Sequence, residues 1–168
     1  MLAAPAAEAA EGLQLVEQEI KAGLLYNFLK YTDWPAGGAA ANAPIVVCLI
    51  GGDPFGGRLQ PMSGRTVNQR LIEIRSLEAV KDSGVCSLLF VNAGEKPQWP
   101  ELRTALMAKP MLTVSDFAGF SDAGGMIEFT RVDNRIGVKI NTAALASAHL
   151  KVQDRLLKLA TARGGGGR

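Results

Sequence analysis

The sequence is poor in the residues that most catalytic and metal sites are built from. His149 is the single histidine among 168 residues, so a relay or metal centre built on imidazole has one group to draw on. Cysteine is scarce too. Cys48 and Cys86 form no CxxC motif and fit no zinc-ligand spacing. An excess of charge of one sign is also missing. Eighteen basic residues face 16 acidic ones, for a formal net charge of +2, and no basic block stands out. That excludes the usual footprint of a nucleic-acid-binding protein. No run of 18 apolar residues occurs, so no segment is expected to cross a membrane as a helix.

What is present is material for a core. Apolar residues make up 48% of the chain, far from a disordered composition. The length suits one domain. Residues 13–163 are expected to form it, with 1–12 a disordered remnant of a signal-peptide region and 164–168 a flexible Gly tail. The opening residues lack a basic n-region and an apolar h-region, yet Ala7-Glu8-Ala9 has the A-x-A pattern of a cleavage site. Two readings stand: a clipped export signal, or an Ala-rich tail.

Helices and strands alternate along the chain. Leu13, Val16, Ile20, Leu24, Phe28 and Tyr31 recur at helical spacing, predicting a helix over 13–32 that Trp34-Pro35 stops. Leu25 and Leu29 widen its buried face. Small residues from Gly37 to Pro44 form a loop. The runs 45–50 and 85–91 are continuously apolar, as in strands covered on both faces. Further strands are expected at 71–75 and 111–114, and a hairpin at 126–132 and 135–140 around Asp133-Asn134. Short helices are expected at 55–59 and 77–81, and longer ones at 99–109 and from Asn141 or Thr142 to Ala162. The last carries a stripe of Leu145, His149, Val152, Leu156 and Leu159. The pattern predicts an α/β fold: a mostly parallel sheet with helices on both faces, a C-terminal β-hairpin and a long C-terminal helix.

Four features invite a chemical reading. Gly51, Gly52, Gly56 and Gly57 follow a buried strand, but they miss the G-x-G-x-x-G order, and Asp53 places negative charge where a pyrophosphate would lie. Glycines serving a tight strand exit explain them better. Cys48 and Cys86 are either two buried thiols or a bridge between neighbouring strands, which needs an oxidising compartment. His149 on an apolar stripe reads as a packed or half-exposed residue rather than a ligand. Asp116 and Asp122 lack the order of a calcium loop, and the segment reads as a loop after a strand. No paired carboxylates, Ser-His-Asp set or Cys-His pair can be assembled, so the sequence gives no support for an enzyme or a cofactor. A small-molecule sensor is the alternative function. Its pocket would lie at the carboxyl ends of the strands, lined by Gly52, Asp53, Asn92, Ser115 and Asp116.

A family resemblance covers about residues 15 to 162. Residues 20–35, with Tyr26, Asn27, Phe28, Trp34 and Pro35, resemble the opening signature of the YfiR family, also called the DUF4154 domain. In the same order follow Asp53, Pro54, Phe55 and Gly56, the stretch 112–116 with Phe120, Gly124 and Gly125 before Met126-Ile127, Ile140-Asn141, and the helix 156–160. The resemblance implies a compact Rossmann-like domain without nucleotide binding, export to the periplasm and homodimers. It also implies a regulatory role. Such a protein binds the periplasmic sensor region of an inner-membrane signalling protein, a diguanylate cyclase or sensor kinase. Restraint of a cyclase lowers cyclic di-GMP, and envelope or redox stress releases it. Cys48 and Cys86 match a cysteine pair of the best understood members. The second, more C-terminal pair is missing, since residues 115–125 contain no cysteine.

Overall fold

The computed structural model describes residues 4–35, 43–107 and 109–162. The expected Gly tail and most of the expected 37–44 loop lie outside them. In chain order the elements are α1 (Ala4–Lys30), β1 (Thr32–Asp33), β2 (Ile45–Ile50), β3 (Thr66–Val67), β4 (Arg70–Leu77), β5 (Leu88–Val91), α2 (Trp99–Leu106), β6 (Leu112–Ser115), β7 (Ile127–Val132), β8 (Arg135–Ile140), α3 (Thr142–Ser147), β9 (Lys151–Val152) and α4 (Asp154–Ala162).

β2 is apolar at every position because both of its faces are covered. Val47 and Leu49 point into one core with Leu25, Phe28 and Leu29 of α1 and Leu156 of α4. Val46, Cys48 and Ile50 point into a second core with Trp99, Leu102 and Leu106 of α2. The seven-stranded sheet has the order β3-β4-β2-β5-β6-β7-β8. Neighbours from β4 to β7 run parallel, while β3 and β8 add antiparallel edges. This is the mixed, mostly parallel α/β sheet that the alternation predicts. The β7–β8 hairpin turns at Asp133 and Asn134, both at positive φ (51° and 61°), as a tight two-residue turn requires.

Four expectations differ from the structure. The helix expected over 142–162 is two helices. Asn141 caps α3 by accepting a bond from Ala144 N at 3.0 Å. His149 then takes φ +59°, Leu150 N donates to Leu145 O and His149 N donates to Ala146 O, which together close the helix as a Schellman motif. His149 is therefore an exposed cap residue, off any apolar stripe. The chain continues as β9, which pairs with β1 (Thr32 with Val152) and ties the exit of α1 to the entry of α4.

The helix expected at 55–59 is a series of turns followed by a 3-10 turn at Gln60–Met62. Positive φ at Gly56 and Gly57 interrupts helical continuation there. The helix expected at 77–81 is a 3-10 turn at Val80–Val85, because β4 extends to Leu77. Finally, α1 begins at Ala4, so the residues around Ala7-Glu8-Ala9 are helical. Its burial begins only near Ala22, and the expected stripe residues Leu13, Val16 and Ile20 are 68%, 53% and 41% exposed.

Candidate functional site

The two cysteines meet. Cys48 lies in the middle of β2 and Cys86 just before β5, the strand next to it. Their Cα atoms are 5.9 Å apart and their sulfurs are bonded, closing a loop across a sequence separation of 38. Both side chains are buried in the core under α2. Trp34, packed against the opposite core, donates from Nε1 to Ser87 O at 3.1 Å.

The exits of β2 and β6 hold glycines and two carboxylates, Asp53 and Asp116. Gly51 and Gly52 take φ of +88° and +98°, a conformation that other residues rarely adopt. A Cβ at Gly51 would also press on Asn92 and Glu95. Asp53 accepts from Phe55 N at 2.8 Å and from Gly57 N at 2.9 Å, so its two oxygens cap the turn. Asn92 donates to Gly51 O at 2.7 Å. Ser115 is fully buried, donating to Val91 O at 2.6 Å and accepting from Phe117 N. Asp116 pairs with Lys21 of α1 at 3.0 Å, while its second oxygen is buried without a partner. Of the five residues grouped as a pocket, Asp116 lines a cleft of about 210 Å³ with Gln18, Lys21 and Phe55. Gly52, Asp53 and Asn92 brace the β2 exit, and Ser115 locks β6 to β5.

The loop after β6 is fastened by a residue that sequence reasoning missed. Glu128 is 6% exposed. It accepts from Ser121 N and Ser121 Oγ, both at 2.9 Å, and from Gly119 N at 3.3 Å. The signal was there in part: Ile127 and Phe129 face one core, so Glu128 faces the other side of β7. Asn141 adds a bond to Ser121 O, and Lys139 pairs with Asp122. That hydrogen bond to Asp122 holds the Lys139 ammonium above the usual lysine range. A raised lysine pKa gives a contribution present at neutral pH and lost only as pH rises through the folded value. Asp116 and Asp122 are thus each paired with a lysine rather than with each other. The loop that carries no cysteine is clamped by a carboxylate. Glu128→Ala is expected to cost about 2 kcal/mol in urea melts, and Glu128→Gln clearly less, because the amide keeps one acceptor. Equal melting of all three proteins would dismiss the clamp.

Most signature residues prove to be fasteners. Phe28 stacks on Phe129 at 5.7 Å and Phe55 meets Phe90 edge-on at 4.9 Å. Tyr26 lies under the Arg65 guanidinium at 6.0 Å. Asn27 O accepts from Tyr31 N at the end of α1. Beside it, a hydrogen bond from Arg155 holds the Tyr31 phenol below the usual tyrosine range.

A surface stands apart from these. Beyond Ala22 toward its N-terminus, α1 leaves the core and shows Leu13, Val16 and Ile20 to solvent. Arg131 of β7 pairs with Glu17 and holds the helix beside the hairpin. Between them runs a groove of about 560 Å³, lined also by Ile136. Among the described residues no group of three or more His, Cys, Asp or Glu could hold a metal ion, and no helix is long and apolar enough to cross a membrane.

Sheet, bridge and exposed helix define a small α/β domain held by one disulfide, with an apolar surface exposed on α1. The chain belongs to the DUF4154 family, described as YfiR/HmsC-like, whose profile matches residues 18–161. No curated protein matches it. The YfiR/HmsC-like family consists of periplasmic, non-catalytic regulators of signalling.

Proposed function

We propose that this protein restrains an inner-membrane signalling protein by binding its periplasmic sensor region, and that the partner is a diguanylate cyclase whose cyclic di-GMP output falls on binding. The observation that carries the reading is the α1 surface. Leu13, Val16 and Ile20 form one apolar stripe, more than 40% exposed at each position, beside a groove walled by the β7–β8 hairpin. Exposed apolar surface rimmed by polar groups is where proteins meet. The buried bridge fits an exported protein, since disulfides persist in oxidising compartments. Restraint follows if the stripe has higher affinity for one signalling state of the partner than for the other.

The test is co-expression with a membrane diguanylate cyclase from the same organism. Cyclic di-GMP should fall, and the Leu13→Glu, Val16→Glu double variant should lose that effect while melting as the parent does. Unchanged cyclic di-GMP with no complex on pull-down refutes the reading. A homodimer formed through the same stripe is the accompanying proposal, and sedimentation of the same variant as a monomer supports it.

A second reading, a ligand at the strand exits, has one observation in its favour: the buried, unpartnered oxygen of Asp116 at the Lys21 cleft. A small cationic or hydroxylic ligand that raises the melting temperature of the parent but not of Asp116→Asn would support it.

A further inference from the structure

α2 covers Met111, the residue before β6, on one face of the sheet, and α3 follows the edge strand β8. Between the two helices lies a cavity of about 360 Å³, away from both the strand-exit cleft and the α1 groove. Its walls are largely apolar, with Leu106, Met107, Met111 and Met126 among them. Methionine side chains adapt to the shape of whatever they enclose.

Three polar groups at this cavity, Arg103, Thr113 and Asn141, keep donors to spare, while the Ser147 hydroxyl is already spent on Ala143 O. Arg103 lies against Gly124, where an added Cβ would overlap its guanidinium. Among the described residues it has no ion pair and no hydrogen bond from its side chain. Thr113 Oγ1 accepts from Met126 N at 3.1 Å, which leaves its proton to donate. Asn141 spends its oxygen on Ala144 N and one N–H on Ser121 O, which leaves the other N–H. Among the described residues, no acidic side chain lines the space. Spare donors and an unneutralised cation beside apolar walls complement an anion with an apolar body. Each spare donor in such a site gains most from an acceptor, and the guanidinium fork matches a carboxylate.

We propose that the α2–α3 cavity binds a small amphipathic carboxylate, a free alkyl acid of about ten carbons given the modest volume. The carboxylate sits on Arg103, within reach of the Thr113 and Asn141 donors, and the tail lies among Leu106, Met107 and Met111. This assignment is independent of the partner surface on α1.

The probes are decanoate, decanol and decyltrimethylammonium, which share a tail and differ in head charge. Calorimetry and thermal melts use the full chain. Decanoate is expected to bind and to raise the melting temperature by several degrees near saturation. Decanol should bind at least about tenfold more weakly, and the ammonium should not bind. Arg103→Gln should weaken decanoate by tenfold or more. Ala143 is an exposed residue at the cavity, so Ala143→Trp should fill the space and abolish binding without changing the unliganded melt. Equal binding of the three probes, no binding of decanoate, or undiminished binding to both variants overturns the proposal. Tighter binding of an acetylated tripeptide ending in Leu-Phe overturns the free-acid assignment in favour of a chain terminus.

Discussion

Loss of the Cys48–Cys86 bridge is expected to lower the stability of the folded chain by about 4 kcal/mol and its melting temperature by roughly 8–16 °C. The figure follows from the sequence separation of 38, which sets how much freedom the unfolded chain regains when the link is cut. Cys48→Ala with Cys86→Ala is the cleanest form of the test, because it leaves neither a lone thiol nor a buried hydroxyl. Its urea slope should also steepen, since the uncrosslinked chain expands further on unfolding. The same geometry bears on redox control. Cys48 is wholly buried and Cys86 is 8% exposed, both under α2. A reductant therefore reaches the sulfurs only when β2 and β5 come open. Reduction by dithiothreitol should be slow in native buffer and accelerate steeply with urea, read by thiol labelling. Full reduction within seconds without urea would show an accessible switch in place of a structural staple. With residues 115–125 free of cysteine, the bridge is the only disulfide this sequence can form within one chain.

The parts of the fold that depend on local pattern were legible from residues alone. Ile45–Ile50 reads as a doubly covered strand because nothing polar interrupts it, and both faces of β2 are indeed buried. The turn at Asp133-Asn134 is fixed by two residues that tolerate positive φ. The C-terminal segment misleads because Leu145, Val152, Leu156 and Leu159 do fall at helical spacing. The residues buried across the break are Ala148, Leu150 and Val152. That is a period of two, the mark of an extended strand, and it outweighs the helical stripe. α1 misleads in the opposite sense. Leu13, Val16 and Ile20 continue the stripe of Leu24 and Phe28, but periodicity reports which residues share a face and not whether anything covers that face. The site residues were the least legible. Asp53 and Asn92 look available as ligands in a sequence, and only the fold shows their bonds committed to backbone. The Arg103 cavity joins α2, β6, the β7 entry and α3, and no local pattern could assemble it.

Gly125→Ala is expected to cost about 3 kcal/mol or more, while its neighbour Gly124→Ala costs about 1–2 kcal/mol. The two glycines sit side by side in the family signature but serve different ends. Gly124 takes φ +95°, and what a methyl group would meet there is the Arg103 guanidinium, the free end of a flexible side chain that can swing away. The cost at Gly124 is therefore mainly backbone strain. At Gly125 a methyl group would overlap the Phe120 ring. Phe120 has nowhere to go. It is wholly buried, with the Trp99 ring 4.6 Å away and Phe117 edge-on at 5.0 Å. The backbone cannot give either, because Gly125 N donates to Phe120 O at 2.8 Å and Trp99 Nε1 donates to Ala123 O at 3.0 Å. An added methyl must therefore displace the aromatic cluster that seals the core under α2 and carries one wall of the Arg103 cavity. A double-mutant cycle separates this from a general loop effect. Phe120→Leu should destabilise the parent chain yet recover part of the loss in the Gly125→Ala background, with a coupling of about 1 kcal/mol or more. Additive costs would mean that the ring and the glycine do not share the space, and that Gly125 is needed for its backbone alone.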